Sequence, residues 1–399
     1  MALETLNPAC HADAGHHHSP ALPPDHRYQV VALVLQGGGA LGAYQAGVYQ
    51  GLAEAKLHPN WVAGISIGAL NAAVIAGNPP EKRAERLEQF WRTISRQPLL
   101  PPSPHNLLDA GRELPPALQG WLNALEAWRA LIEGQNGFFV PRSPLHAPPG
   151  GTASFYDTSP LKNTLEQLVD FDRLNDSNEM RVSVGAVNVK SGNFVYFDNT
   201  QQRLRPEHFM ASGALPPGFP AVEIDGEHYW DGGMVSNTPL QQVLTARPRK
   251  HSLVFQVDLW NARGALPEDL SNVALRQKDI QFSSRTRMIT GYMQESQQFR
   301  QMLREVLELV PAERRDAPAY RRAAEQACDR VFNVLHLIYQ DKPSEGHYKD
   351  YQFSARTMRE HWASGLADIR RTLAHPEWLS MPSPERPFVS HDVHRRRLD

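Results

Sequence analysis

The residues best equipped for chemistry are Gly64-Ile65-Ser66-Ile67-Gly68, a serine with glycines two positions before and two after it. The apolar run that reaches Ile65 and the small-residue run from Ala69 to Ala73 predict a strand, a sharp turn and a helix. Such a turn strains the serine's dihedrals and crowds the backbone, so a Cβ at Gly64 or Gly68 would clash. It leaves Oγ exposed at a helix start, where the N–H of Ile67 and the positive end of the helix dipole face whatever the serine attacks. The same pattern arises by chance in a long chain, so its surroundings must decide its meaning.

A second chemical element precedes it. Tyr28 to Gln36 is an almost continuous apolar run, as expected for the buried centre of a parallel sheet, and it enters Gly37-Gly38-Gly39-Ala40-Leu41-Gly42 and a helical stretch from Ala43 to Lys56. Gly37, Gly39 and Gly42 satisfy a dinucleotide fingerprint, but that reading needs an acid at the end of the second strand. The second strand ends in Ser66, and Glu54 falls inside the predicted helix. Successive amides at a helix start also form an anion-holding nest, and beside Ser66 such a nest serves as an oxyanion hole. The third element, Asp231-Gly232-Gly233, follows a predicted hairpin and reads by itself as an ordinary turn.

Elements that must position these residues are legible around them. Residues 81–97 form an amphipathic pattern with Leu87, Phe90, Trp91 and Ile94 on one face. Residues 98–151 are a proline-punctuated, loop-rich excursion whose Leu107, Leu108, Trp121, Leu125, Trp128, Leu131, Phe138 and Phe139 suit either an acyl pocket or core packing. Arg181–Val189 and Phe194–Phe197 predict a hairpin, Ala211–Pro220 a rigid wall, and Ala221–Trp230 a hairpin turning at Asp225-Gly226. Leu253–Trp260 predicts a buried strand. Residues 268–330 are helical and charged, with a strand-like run at Val331–Tyr339 and a last helix at Ala355–Leu373.

Composition sets the limits. The 399 residues, 41% hydrophobic and 21% charged, suit a sizeable α/β core, and a net charge of −2 argues against general nucleic-acid binding. Cys10 and Cys328 alone give neither a disulfide framework nor a C-x-x-C site. No segment reads as a signal peptide or membrane span, so the expectation is a cytoplasmic protein with membrane contact limited to its periphery. No metal constellation is visible, and neither metal nor cofactor is expected.

Taken in this order, the Gly37–Gly42 loop, the Ser66 elbow and Asp231-Gly232-Gly233 resemble the patatin-like phospholipases, in a bacterial branch with a C-terminal helical extension. The resemblance covers about residues 28–260. It implies a three-layer α/β/α fold with a central, mostly parallel sheet and a helical C-terminal extension. It also implies a Ser-Asp dyad, with Ser66 as nucleophile, Asp231 as its partner, the amides of Gly37, Gly38, Gly39 and Ile67 as oxyanion hole, and Gly42, Gly64, Gly68, Gly232 and Gly233 as motif support. Leu41 stands where the family often has arginine or lysine.

The expected organisation is a disordered His/Pro-rich start (1–27), a catalytic domain (28–260) with the 98–151 excursion as cap, a mainly helical extension (261–380) whose last strand and helix rejoin the core, and a mobile basic tail (381–399). The expected function is hydrolysis of lipid carboxylic esters through an acyl-enzyme. An acyl-thioesterase or acyltransferase would use the same serine, a conventional triad would use a histidine such as His228, and a non-catalytic lipid- or protein-binding module would use neither. The sequence leaves headgroup, acyl length and oligomeric state open.

Overall fold

Val30–Leu35 forms strand β1, and its alternation shows why this run had to be apolar throughout. Val31, Leu33 and Leu35 enter one hydrophobic core and Val30, Ala32 and Val34 enter a second on the opposite face, the period of two expected of a strand buried on both sides. The computed structural model describes residues 28–96, 125–127, 129–142, 153–342 and 345–394. The His/Pro-rich start, much of the 98–151 excursion and Arg395-Arg396-Arg397 lie outside these residues.

Eight further strands complete the sheet: β2 (Trp61–Ile65), β3 (Arg181–Asn188), β4 (Phe194–Asp198), β5 (Val222–Ile224), β6 (Glu227–Asp231), β7 (Ser252–Asp258), β8 (Phe332–Ile338) and β9 (Phe388–Asp392). Their order is β9-β8-β7-β1-β2-β3-β6-β5, with β4 also on β3. The six from β9 to β3 are parallel, and β4, β5 and β6 join antiparallel. This is the mixed α/β architecture with a central, mostly parallel sheet that the sequence predicts.

Helix α1 (Ala43–Glu54) follows β1, α2 (Ile67–Ala76) follows β2, and α3 (Arg83–Thr93) buries Leu87, Phe90 and Trp91. After the short α4 (Leu240–Thr245), β7 leads into the 39-residue α5 (Leu270–Glu308), then α6 (Pro318–Gln326), β8 and α7 (Ala355–Leu373). Two glycines let α7 lie directly on α1: a Cβ on Gly47 would stand 2.0 Å from the Trp362 carbonyl oxygen, and one on Gly365 2.0 Å from that of Tyr44. Leu240 and Val243 of α4 and Met293 of α5 close the opposite core.

The tail expected to be mobile from 381 onward contains a strand. Phe388–Asp392 is the edge strand β9, paired in parallel with β8 from Phe332↔Phe388 to His336↔Asp392. His394 then reaches the Asp368 carboxylate of α7 at 3.0 Å. The stretch read as a wall at 211–220 begins with Ala211 and Ser212 closing a helix over Pro206–Ser212, and Gly213 and residues 215–219 line a cavity.

Sheet register explains how two residues 165 positions apart meet. Strand β2 ends with Ile65 opposite Gly185 of β3, and β6 ends with Asp231 opposite the next residue, Ala186. Ala186 also pairs with Val195 of β4, so β4 holds one edge of β3 while β6 continues the edge that β2 leaves. The ends of β2 and β6 therefore abut, and Ser66 is the residue that follows β2.

Candidate active site

Ser66 adopts φ 55° and ψ −125°, a left-handed conformation that a side chain disfavours and that the surroundings must hold in place. Close packing does so. A Cβ on Gly64 would come within 2.4 Å of the Gly68 carbonyl oxygen, and one on Gly68 within 2.4 Å of that of Leu35. The Ser66 N–H donates to Ser212 Oγ at 2.9 Å, and that hydroxyl donates to the Gly185 carbonyl at 2.6 Å, which ties the elbow to β3.

Ser66 and Asp231 line the same cavity, and the serine side chain acts on the Asp231 carboxylate. Asp231 is only 3% exposed, and its Oδ1 accepts the Gly233 N–H at 2.7 Å. Burial raises its pKa to about 7, against the opposing pull of the Ser66 side chain and the Gly233 N–H. Gly232 passes so close to β3 that a Cβ would lie 2.6 Å from the Gly185 carbonyl oxygen. The pair thus combines a hydroxyl with a carboxylate poised to exchange a proton near neutrality.

Gly37 differs from the sequence-based expectation of an oxyanion donor. Its N–H donates to the Asn237 carbonyl at 3.2 Å, while its own carbonyl accepts Asn237 Nδ2 at 3.0 Å and Trp260 Nε1 at 2.8 Å. The residue is a fixed anchor, and its amide is already used. Gly38, Gly39 and Ile67 line the cavity that holds Ser66 and Asp231. Gly39 has φ +56°, and a Cβ there would stand 2.0 Å from the Asp350 carbonyl oxygen, which accepts the Ala40 N–H at 2.7 Å. Gly42 packs against Ile67 and Trp91, and Leu41 is fully buried.

The cavity measures about 360 Å³ and is walled by apolar groups, among them Leu70, Leu131, Phe138, Phe139, Tyr156, Phe219 and Phe282. Phe138, Phe139, Tyr156 and Phe219 pack mutually edge-on or tilted, with centroids 4.8–6.1 Å apart. The 131–139 part of the proline-rich excursion therefore forms one wall. Charged residues at the cavity besides Asp231 are Lys278 of α5 and Asp350. Lys278 Nζ donates to both Asp350 carboxylate oxygens, at 2.7 and 2.9 Å, and to the His347 carbonyl at 2.9 Å. His228, the candidate for a triad, lies exposed on the β5–β6 hairpin opposite Glu223 and is not among the lining residues. Among the described residues no group of three or more His, Cys, Asp or Glu side chains could hold a metal ion.

Four supporting residues escape sequence reasoning: Ser212, Asn237, Trp260 and Gln36. Gln36 Oε1 accepts the Leu259 and Trp260 amides at 2.6 and 3.1 Å, and its Nε2 donates to Thr238 Oγ1 at 2.9 Å. A buried glutamine at the end of an apolar strand, just before the glycine loop, is the one local signal that marks any of them.

A family model described as patatin-like phospholipase matches residues 33–244, which carry the glycine loop, the elbow and Asp231. The chain belongs to that family. A second model, described as patatin phospholipase, matches residues 280–385 of this patatin-like protein, a span that holds Phe282 and Asp350 of the cavity. It is 36% identical over 69 residues to the triacylglycerol lipase SDP1L of Arabidopsis thaliana, covering 17% of this chain and 9% of that one. It is 34% identical over 84 residues to a putative patatin-like phospholipase domain-containing protein, M110.7, of Caenorhabditis elegans, covering 21% and 7%. The patatin-like chain thus spans less than a tenth of the length of these curated relatives. Among solved structures it is similar to VipD from Legionella pneumophila, with a TM-score of 0.31 and 14% identity, covering 83% of this chain and 67% of that one. Human GIVD cytosolic phospholipase A2 gives a TM-score of 0.30 at 14% identity, covering 59% and 43%. No helix among the described residues is long and apolar enough to cross a membrane.

Proposed function

We propose that the protein is a serine acyl hydrolase that cleaves carboxylic ester bonds of lipids, with Ser66 and Asp231 as its dyad. The observation that carries this reading is the meeting of Ser66, on its strained elbow, with a buried Asp231 in one apolar cavity; family membership supports it. Asp231 accepts the Ser66 proton as Oγ attacks the ester carbonyl, and the tetrahedral oxyanion is held by the amides of Gly38, Gly39 and Ile67. The proton passes to the departing alcohol as the C–O bond breaks, leaving an acyl-serine. Asp231 then takes a proton from water, whose oxygen attacks the acyl carbonyl, and the proton returns to Ser66 as the fatty acid leaves. The aromatic wall accommodates the acyl chain.

A hydrolysis panel of short esters, lysophospholipid, phospholipid and acyl-thioester tests the reading. Wild type is expected to cleave at least one lipid ester, and Ser66→Ala is expected to lose that activity. A preference for the thioester, or transfer to an added alcohol in place of water, would move the assignment to a thioesterase or acyltransferase.

The elevated pKa of Asp231 fixes the pH profile. The carboxylate is the active form, so kcat/KM is expected to rise with pH and level off above a midpoint of about 7. A midpoint near the ordinary aspartate value of ~3.9 would contradict a desolvated base.

Lys278 has all three donors committed to Asp350 and His347, so it fits a strap that holds Asp350 against the glycine loop rather than a headgroup ligand. A displacement of about 1 Å in such a site can cost on the order of 100-fold in rate. Lys278→Met is expected to lower kcat with little change in KM. A selective rise in KM would instead assign Lys278 to substrate binding.

A further inference from the structure

The long helix α5 buries one face and leaves another bare. Met293 and Leu307 are buried in separate clusters, and Gln297 Nε2 reaches the Arg330 carbonyl at 2.6 Å. Turned away from these, Met288, Tyr292, Phe299, Met302 and Val306, with Leu309 just past the helix end, are 53–82% exposed. From 288 their spacing follows steps of four and three: 288, 292, 295, 299, 302, 306, 309. This is the 3.5-residue repeat of a seam that packs against another helix, interrupted by one charged residue, Glu295.

From this pattern we infer that the 288–309 face of α5 is the interface through which two copies of the chain pair, helix against helix, about a two-fold axis. Residues beside the seam argue against a membrane as the occupant. Glu305 and Glu308 balance Arg300 and Arg304, no lysine occurs over 288–309, and Gln294, Gln298 and Gln301 add uncharged amides, whereas surface-lying membrane helices carry a lysine- and arginine-rich polar face. The area is also sufficient for a second copy. Apolar side chains of this size offer on the order of 100 Å² each, so six of them in two copies hide about 1,200 Å², the lower end of stable interfaces. A two-fold pairing needs only one such surface, because it meets itself. Glu295 then sits in the seam as the polar residue that weakens the pairing while restricting its register.

Sedimentation equilibrium of the full chain, from nanomolar to high micromolar concentration, tests this. Wild type is expected to form a dimer, and Phe299→Glu with Met302→Glu to give a folded monomer, with circular dichroism as the check on folding. Glu295→Leu is expected to tighten the dimer by about tenfold or more, because a buried leucine replaces a carboxylate. That gain tests the seam even should the double variant fold poorly. A wild type that stays monomeric throughout, a dimer untouched by both variants, or a monomer that binds phosphatidylcholine or phosphatidylglycerol vesicles through Phe299 would overturn the inference.

Discussion

Replacing Asp231 by asparagine is expected to lower kcat for ester hydrolysis about 1,000-fold, within the range that a positioned general base contributes, and at the same time to make the protein more stable. The two effects share one cause. Burial of Asp231 favours the neutral carboxyl, so its pKa stands at about 7 in the folded chain but near ~3.9 in the unfolded one. Between those values the folded state holds a proton that the unfolded state has released, so this group's contribution to stability is intact below about pH 4 and is lost progressively up to about pH 7. Above pH 7 the full cost of a buried charge applies, with a ceiling of about 4 kcal/mol for a rise from ~3.9 to about 7. Asparagine carries no charge and keeps an oxygen for the Gly233 amide. Denaturant midpoints of wild type and Asp231→Asn are therefore expected to converge at pH 4 and to separate at pH 8, with the variant the more stable. Equal stability at both pH values would mean that Asp231 is not buried as a charge.

Gly39→Ala is expected to cost about 100- to 1,000-fold in kcat, the usual consequence of losing an oxyanion donor. With φ +56° and a new Cβ 2.0 Å from the Asp350 carbonyl oxygen, the loop has to move, and the amides of Gly38 and Gly39 move with it. Gly192→Ala separates this displacement from backbone strain alone. Gly192 has φ +70° but no neighbour within 4 Å of the added Cβ, so it bears the conformational cost of about 1–2 kcal/mol without disturbing the site. Gly192→Ala is expected to keep the kcat of wild type and lose only this conformational cost, whereas Gly39→Ala loses kcat and, through the clash with backbone, more stability. A Gly39→Ala enzyme with the kcat of wild type would remove the glycine loop from the mechanism.

The parts legible in the sequence are those whose cause is local. Val30–Leu35 had to be a buried strand because six consecutive apolar residues enter cores on both faces. Gly64 and Gly68 announced the elbow because backbone oxygens occupy the space of their missing side chains. Asp225-Gly226 announced its hairpin through two left-handed residues. What stayed hidden depends on distant segments. Gly37 looks like its neighbours in the sequence, yet its amide is engaged by Asn237, 200 residues away. Lys278 and Asp350 sit in stretches without a motif and gain meaning only where α5 and the 347–351 segment meet at the cavity. Strand β9 was missed because Pro382, Pro384 and Pro387 precede it and Phe388-Val389 is its only apolar pair; pairing with β8 supplies what intrinsic preference lacks.

The most direct measurement of the central claim is covalent capture by a fluorophosphonate probe, with the modified peptide located by mass spectrometry. Wild type is expected to carry one adduct, on Ser66, which disappears in Ser66→Ala and forms more slowly in Asp231→Asn. A folded wild-type protein that hydrolyses lipid esters yet leaves Ser66 unmodified, or that carries the adduct on another residue, would contradict the account.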